Sequence, residues 1–206
     1  MSNHKKTLLI FGNISAPIMT DRWMALIGGI QEILTKNDVI LINATGDYLA
    51  SYVETATACY APCIQASEDS FVRHYTKLRK NFIMSDASYD TLMTKRINSM
   101  FQHKKPDIAL CIGGYDDHSM QIFERCTELA IPTLGIPLFE GYGELIYETM
   151  VKEFGEFHSL GFPKTLDQYG ERFTTLFTAL SKSEEPFKTL PELITLALHE
   201  CTLEAA

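Results

Sequence analysis

Residues 106–143 constrain the fold of this chain more than any other stretch, because they contain a complete strand–helix–strand pattern. An apolar run, Ile108–Ile112, has the composition of a strand that is buried on both faces in a parallel sheet. Gly113 and Gly114 follow it, and an amphipathic helical segment comes next. A second apolar run, Thr133–Ile136, ends shortly before another glycine turn. This order predicts a βαβ unit whose two glycine turns lie at the carboxyl ends of its strands.

The rest of the chain continues the alternation of strands and helices. Residues 7–11 and 39–42 predict two strands that each end in a glycine-containing turn, and residues 63–66 predict a further short strand. Helical spacing predicts helices at residues 17–34, around Tyr52, twice between residues 67 and 103, around Met150, at residues 166–180, and from a capping-box pattern at residues 189–192 onward. We therefore predict a single Rossmann-like α/β domain over residues 1–206. It has three layers, a parallel sheet of about five strands, and additional C-terminal helices at about residues 160–206.

The predicted turns converge on one edge of the sheet. Open α/β sheets bind ligands at the carboxyl ends of their strands, where glycines let the backbone approach a ligand and helix N-termini favour anions. We expect ligand contacts from the turn residues Gly12, Asn13, Thr45, Gly46, Gly113, Gly114, Tyr115, Gly141, Tyr142 and Gly143. These features therefore predict the location of a binding site, but they do not identify the ligand.

Charge and cysteine content exclude several other classes of protein. A formal net charge of −8 argues against a general nucleic-acid binder, because contacts with phosphates need a basic surface. The apolar runs are strand-length and the first six residues are polar, so we expect no membrane partner, no signal peptide and a cytoplasmic location. The five cysteines include no C-x-x-C pair, and the histidines have no ligand spacing with them. We expect reduced cysteines that mostly fill the core, no metal site and no cofactor.

Three motifs resemble the Lonely Guy family of nucleotide phosphoribohydrolases and the lysine-decarboxylase-like proteins related to it. They are Met93-Thr94-Lys95-Arg96, the strand leading into Gly113-Gly114-Tyr115, and Gly141-Tyr142-Gly143. The resemblance covers residues 91–154 best. It implies a Rossmann-like fold, a nucleotide contact from Arg96, and phosphate binding by Gly113 and Gly114.

The chain departs from the family pattern at four positions. Ile112 replaces the family's proline, Asp116 its third glycine, Asp117 its threonine, and Met120 its catalytic glutamate. Two aspartates at those positions would repel phosphate, and methionine cannot act as the acid. The family's own reaction is therefore not expected here.

An acidic group follows the central glycines and offers other candidates for catalysis. Asp116, Asp117 and His118 could perform acid–base work or hold ribose hydroxyls, and Glu124 lies one turn beyond Met120. The alternative interpretation is that Asp116 or Asp117 only caps the helix and that Glu124 is a surface charge.

The leading functional prediction is a binding protein for a nucleotide or nucleotide-derived metabolite, such as an adenosine phosphate or an ADP-ribose derivative. The alternative is an N-glycosidic hydrolase or transferase that uses the acidic group Asp116, Asp117, His118 and Glu124. A third possibility is an assembly protein with a vestigial pocket. The apolar content of residues 89–101 and 145–154 also predicts a homodimer.

Overall fold

A computed structural model describes residues 6–16, 20–37, 39–58, 97–98, 101, 105–152, 160–162, 166–182 and 186–200. Within these residues the sheet has four parallel strands: β1 (Thr7–Ile14), β2 (Ile40–Gly46), β3 (Ile108–Ile112) and β4 (Thr133–Ile136). Their order is β2-β1-β3-β4. The expectation of an α/β fold with a parallel sheet is confirmed. The strand predicted at residues 63–66 lies outside the described residues. So do the two helices predicted between residues 67 and 103, except for Ile97, Asn98 and Phe101, which are helical.

Helices surround the sheet. Their bounds are α1 (Thr20–Asn37), α2 (Asp47–Ala58), α3 (Asp117–Glu128), α4 (Tyr142–Lys152), a 3-10 turn (Leu166–Tyr169), α5 (Gly170–Lys182) and α6 (Pro186–Glu200). Every residue of β1 and β3 is buried, which shows that both faces of the central strands are covered. None of the described helices combines the length and the apolar character that a membrane span requires.

The first two strands are longer than predicted. Gly12 pairs with Thr45 and Asn13 pairs with Gly46, so the parallel ladder continues through residues that were expected to form turns. The expectation of a turn at Gly12 and Asn13 is therefore wrong. The polar Asn13 side chain does not end β1, because it is buried with hydrogen-bond partners of its own.

The helices α1 and α6 also differ from expectation. Helix α1 runs through Gly28 and Gly29 without a break, and Gly29 packs against α6: a Cβ there would lie 2.9 Å from the carbonyl oxygen of Phe187. The terminal helix begins at Pro186 and not near residue 189, so Pro191 lies inside it. Pro191 lacks the backbone N–H that would otherwise donate a hydrogen bond to the carbonyl of Phe187, four residues earlier. The same carbonyl faces Gly29, which lets the two helices approach closely.

Aromatic side chains join the C-terminal helices to α4. The ring centroids of Phe162 and Tyr169 lie 5.9 Å apart, those of Tyr169 and Phe173 lie 4.7 Å apart, and those of Phe173 and Phe177 lie 6.4 Å apart. The ring of Tyr147 in α4 lies 5.1 Å from that of Phe177. We call Phe162, Tyr169, Phe173 and Phe177, which are all buried, the aromatic row. Lys6, just before β1, donates from Nζ to the carbonyl of Leu198 in α6 at 2.6 Å. The C-terminal helices are thus packed onto the α/β part of the chain.

Candidate functional site

The strand order places a topological switch point between β1 and β3. From β1 the chain moves to β2 on one side, and β3 and β4 lie on the other side. In open α/β sheets the crevice at such a point, outside the carboxyl ends of the strands, is where ligands bind. The end of β1 and the residues that follow β2 and β3 meet at this crevice.

Asn13 is the centre of this meeting point. Its side-chain Oδ1 accepts a hydrogen bond from the backbone N–H of Tyr115 at 3.0 Å. Its Nδ2 donates to Asp116 Oδ2 at 3.0 Å and, at a longer 3.4 Å, to Asp47 Oδ2. Asn13 is only 3% exposed, so these hydrogen bonds satisfy a buried amide. We call Asn13, Asp47, Tyr115 and Asp116 the edge cluster.

Asp116 is the N-cap of α3. Its backbone is extended, with φ −108° and ψ 161°, and its Oδ1 accepts a hydrogen bond from the N–H of Ser119 at 2.9 Å. Because Oδ2 accepts from Asn13, both carboxylate oxygens already have donors within the protein. The capping interpretation of Asp116 is confirmed.

Asp47 directly follows β2 and begins α2. Its φ of 50° lies in the left-handed region that few residues other than glycine, asparagine and aspartate adopt. Its Oδ2 accepts hydrogen bonds from the Tyr115 hydroxyl and from Asn13. The hydrogen bond from the Tyr115 hydroxyl to Asp47 raises the pKa of Tyr115 to about 12, because ionisation of the tyrosine would place a phenolate beside a carboxylate.

The glycines after β3 and β4 contact each other. The carbonyl of Gly114 accepts a hydrogen bond from the N–H of Tyr142 at 2.7 Å, and the carbonyl of Gly113 accepts from Gly143 at 2.8 Å. A Cβ at Gly141 would lie 2.6 Å from the Gly114 carbonyl oxygen, so a side chain there would force the two turns apart. These glycines are therefore required for the close approach of two turns.

This packing uses backbone amides that were expected to face a ligand. The N–H groups of Tyr142 and Gly143 donate to the turn after β3, and the N–H of Gly114 donates to the carbonyl of Asn13 at 2.9 Å. A ligand that contacts Gly114, Tyr142 or Gly143 must therefore use other atoms of those residues.

The remaining candidates lie at different distances from the edge cluster. Thr45 is half-buried near the end of β2, where its N–H and hydroxyl both donate to Asn43 Oδ1. Asp117 is exposed and His118 is half-buried in the first turn of α3. Glu124 lies eight residues after the cap, on the order of 12 Å along the helix axis.

Glu124 lines a separate open groove. The groove is formed by Ile97, Asn98, Gln121, Glu124, Arg125 and Glu128. The structure thus does not bring Glu124 together with Asp116. Arg96 and the motif residues before it lie outside the described residues. In the part of the chain that the structure describes, no three His, Cys, Asp or Glu side chains converge to hold a metal ion.

Cys111 and Cys126 are buried free thiols. Burial raises the pKa of the Cys111 thiol well above its usual value and that of Cys126 to about 12, so neither has the thiolate character of a nucleophile. The expectation of core-filling cysteines is confirmed for these two, and the other three lie outside the described residues.

Sequence reasoning did not single out Asp47, which the structure places in the edge cluster. The available signal was an acidic residue directly after a predicted glycine turn, at the edge where Gly113 also lies.

The edge cluster can accept hydrogen bonds from ligand hydroxyl or amino groups through the Asp47 carboxylate, and it presents the tyrosine ring beside that carboxylate. No family model matches this chain and no curated protein matches it, so its resemblance to the Lonely Guy family remains a prediction from the motifs.

Proposed function

We propose that this protein binds a nucleotide or nucleotide-derived metabolite, of the adenosine phosphate or ADP-ribose type, at the carboxyl edge of the sheet. The observation that carries the proposal is Asp47, an exposed acidic residue directly after β2 and beside the switch point. In doubly wound folds that bind dinucleotides, an acidic residue past the first βα unit accepts hydrogen bonds from the ribose hydroxyls.

The hydrogen bonds of Asp47 support this role. Asn13 and Tyr115 both donate to the same carboxylate oxygen, Oδ2. A ribose hydroxyl can therefore donate to Oδ1 without breaking either bond. The two donors also hold the carboxylate in one orientation before the ligand arrives, which reduces the entropic cost of binding.

Charge indicates where the phosphates of such a ligand would lie. Asp116 and Asp117 at the start of α3 disfavour an anion there. The N-terminus of α1, which follows β1 after the exposed residues Ser15 and Ala16, has the position of the phosphate-binding helix in doubly wound folds. The first turn of α1 contains one acidic residue, Asp21, whereas α3 has Asp116 at its cap and Asp117 in its first turn. We therefore propose that the phosphates point towards α1 and the ribose towards α2.

Binding is better supported than catalysis. Both oxygens of Asp116 are engaged within the protein, and Glu124 lines a different groove. Met120 occupies the position where the resembling family has its catalytic glutamate. The described contacts therefore do not bring Asp116 and Glu124 together as an acid–base pair for the hydrolase or transferase alternative.

The homodimer and the cytoplasmic location also remain proposals. Leu145 is 54% exposed on α4, within one of the two segments from which the dimer was predicted. A monomeric mass in light scattering at tens of micromolar, on the order of ordinary assay concentrations, would contradict the dimer.

Isothermal calorimetry with AMP and ADP-ribose tests the proposed ligand class. The decisive variant is Asp47→Asn, because asparagine tolerates the left-handed backbone and can still accept the Tyr115 hydroxyl. We expect it to weaken binding on the order of tenfold to a hundredfold, since a charged acceptor for the ribose is lost. Glu54→Gln, an exposed carboxylate elsewhere on α2, is the matched control and should bind like the wild type. Equal affinities in Asp47→Asn and the wild type would overturn the proposal.

A further inference from the structure

Tyr115 is an exposed aromatic side chain that is held at both ends. Its backbone N–H donates to Asn13 Oδ1 at 3.0 Å, and its hydroxyl donates to Asp47 Oδ2. Nevertheless, 52% of its surface is exposed, although it follows two buried glycines in the turn after β3. A tyrosine on a surface turn usually has a mobile ring, and here two hydrogen bonds fix the ring beside the switch point.

We propose that Tyr115 is the stacking surface for a planar aromatic base, and this inference rests on the proposed function. The base of a nucleoside is bonded to the sugar carbon next to the 2′ hydroxyl. A ribose whose 2′ hydroxyl donates to Asp47 therefore brings its base towards the ring that donates to the same carboxylate. A flat base fits the exposed face of a fixed ring, and the fixed ring loses little conformational entropy on binding.

This assignment sets the specificity of the site. Stacking on an aromatic side chain tolerates different bases, because every base has a π-face. The site would therefore distinguish ligands that carry a base from sugar phosphates that lack one, more than it would distinguish one base from another. The hydroxyl of Tyr115 acts as a positioning group, and the ring makes the contact.

The test compares AMP with ribose 5-phosphate, which has the same sugar and phosphate but no base. Calorimetric affinities are measured for the wild type, Tyr115→Leu and Tyr115→Phe. Both variants lack the hydroxyl that orients Asp47, so the ring alone distinguishes them. We therefore expect Tyr115→Leu to bind AMP about tenfold more weakly than Tyr115→Phe does, and to bind ribose 5-phosphate as Tyr115→Phe does. Tyr115→Phe keeps the ring and should retain most of the AMP affinity. Thermal melting of each variant checks that it is folded.

Tyr48 provides a matched control. It is 44% exposed and directly follows Asp47, so Tyr48→Leu removes an exposed ring from the same part of the surface. We expect it to bind AMP like the wild type, and an equal loss in Tyr48→Leu and Tyr115→Leu would contradict the assignment.

The remaining outcomes separate the two proposals. If Tyr115→Leu binds AMP as well as Tyr115→Phe does, or is weaker than Tyr115→Phe by the same factor for both probes, the stacking role is wrong while ligand binding at the edge stands. If the wild type binds neither AMP nor ribose 5-phosphate nor ADP-ribose, the proposed function fails and the stacking role fails with it.

Discussion

The edge cluster and the aromatic row are both packed networks, but different forces hold them. The edge cluster joins Asn13, Asp47, Tyr115 and Asp116 by hydrogen bonds between polar groups, and half of the Tyr115 surface faces solvent. The aromatic row consists of buried rings without charge. Burial of apolar area is the main source of stability, whereas polar groups at a sheet edge contribute less to it and can serve a ligand. Substitutions in the two regions should therefore affect different measurements.

The largest expected effect on stability is in the aromatic row. Phe177 is fully buried between Phe173 and Tyr147. Phe177→Ala should lower the free energy of unfolding by about 4 kcal/mol, because it removes buried area and leaves a cavity. Urea denaturation measures this loss, and Phe177→Leu should recover most of it. If Phe177→Ala lowers the free energy of unfolding no more than a substitution at an exposed position does, the distinction between the two regions is wrong.

The second effect concerns the charge balance of the edge cluster. Asn13→Asp removes the donor to Asp116 and Asp47 and places a third, buried carboxylate beside them. We expect it to destabilise the protein by about 3 kcal/mol at pH 7. Repulsion raises the pKa of the new carboxyl group in the folded state, so the penalty is present at neutral pH and decreases as the pH falls.

The measurement for Asn13→Asp is the difference in urea stability from the wild type at pH 7 and at pH 4. Asn13→Ala is the control, since it removes the same donor without adding a charge. A difference that is independent of pH in Asn13→Asp would show that the carboxylates do not interact.

The third effect tests whether the glycines serve packing. Gly113 has a φ of 62°, and a Cβ there would overlap the carbonyl oxygen of Asn13. Gly113→Ala should therefore cost about 2 kcal/mol of unfolding free energy. Gly28, in the middle of α1, has open space around it, and Gly28→Ala should stabilise the protein by about 0.5–1 kcal/mol. Thermal melting of the pair gives opposite shifts if the glycine roles are correct, and shifts of the same sign would contradict them.

The smallest effect is on the titration of Tyr115. Its hydrogen bond to Asp47 raises its pKa to about 12, so one tyrosine should ionise near pH 12 in the ultraviolet difference spectrum between wild type and Tyr115→Phe. The raised pKa favours the neutral phenol in the folded state. Its contribution to stability is therefore present below about pH 10 and is lost as the pH rises towards 12. In Asp47→Asn the carboxylate is lost, so the same difference spectrum should shift towards pH 10; no shift would contradict the assignment of the raised pKa to Asp47.

The sheet could be predicted from the sequence because its signals are local. The apolar runs Ile108–Ile112 and Thr133–Ile136 and the glycines between the elements are enough to place β3, β4 and the carboxyl edge. The capping role of Asp116 could be stated as one of two interpretations, since the N-cap depends on residues three positions away.

The hydrogen bonds within the edge cluster could not be predicted because its partners are distant in sequence. Asn13 within a strand resembles a turn until its partners are known, and these lie 34, 102 and 103 residues away. The same holds for the start of α6, which begins at Pro186 with Pro191 inside the helix, where Phe187 packs against Gly29 of α1. In each case tertiary contacts override a local signal.

The most direct test of ligand binding at the edge cluster is an amide chemical-shift titration of ¹⁵N-labelled protein with AMP. The account predicts that the largest shift changes occur at the amides of Asn13, Asp47 and Tyr115, and that Phe173 and Phe177 of the aromatic row change little. Changes that instead cluster on the Glu124 groove, or the absence of saturable changes at the edge cluster, would contradict it.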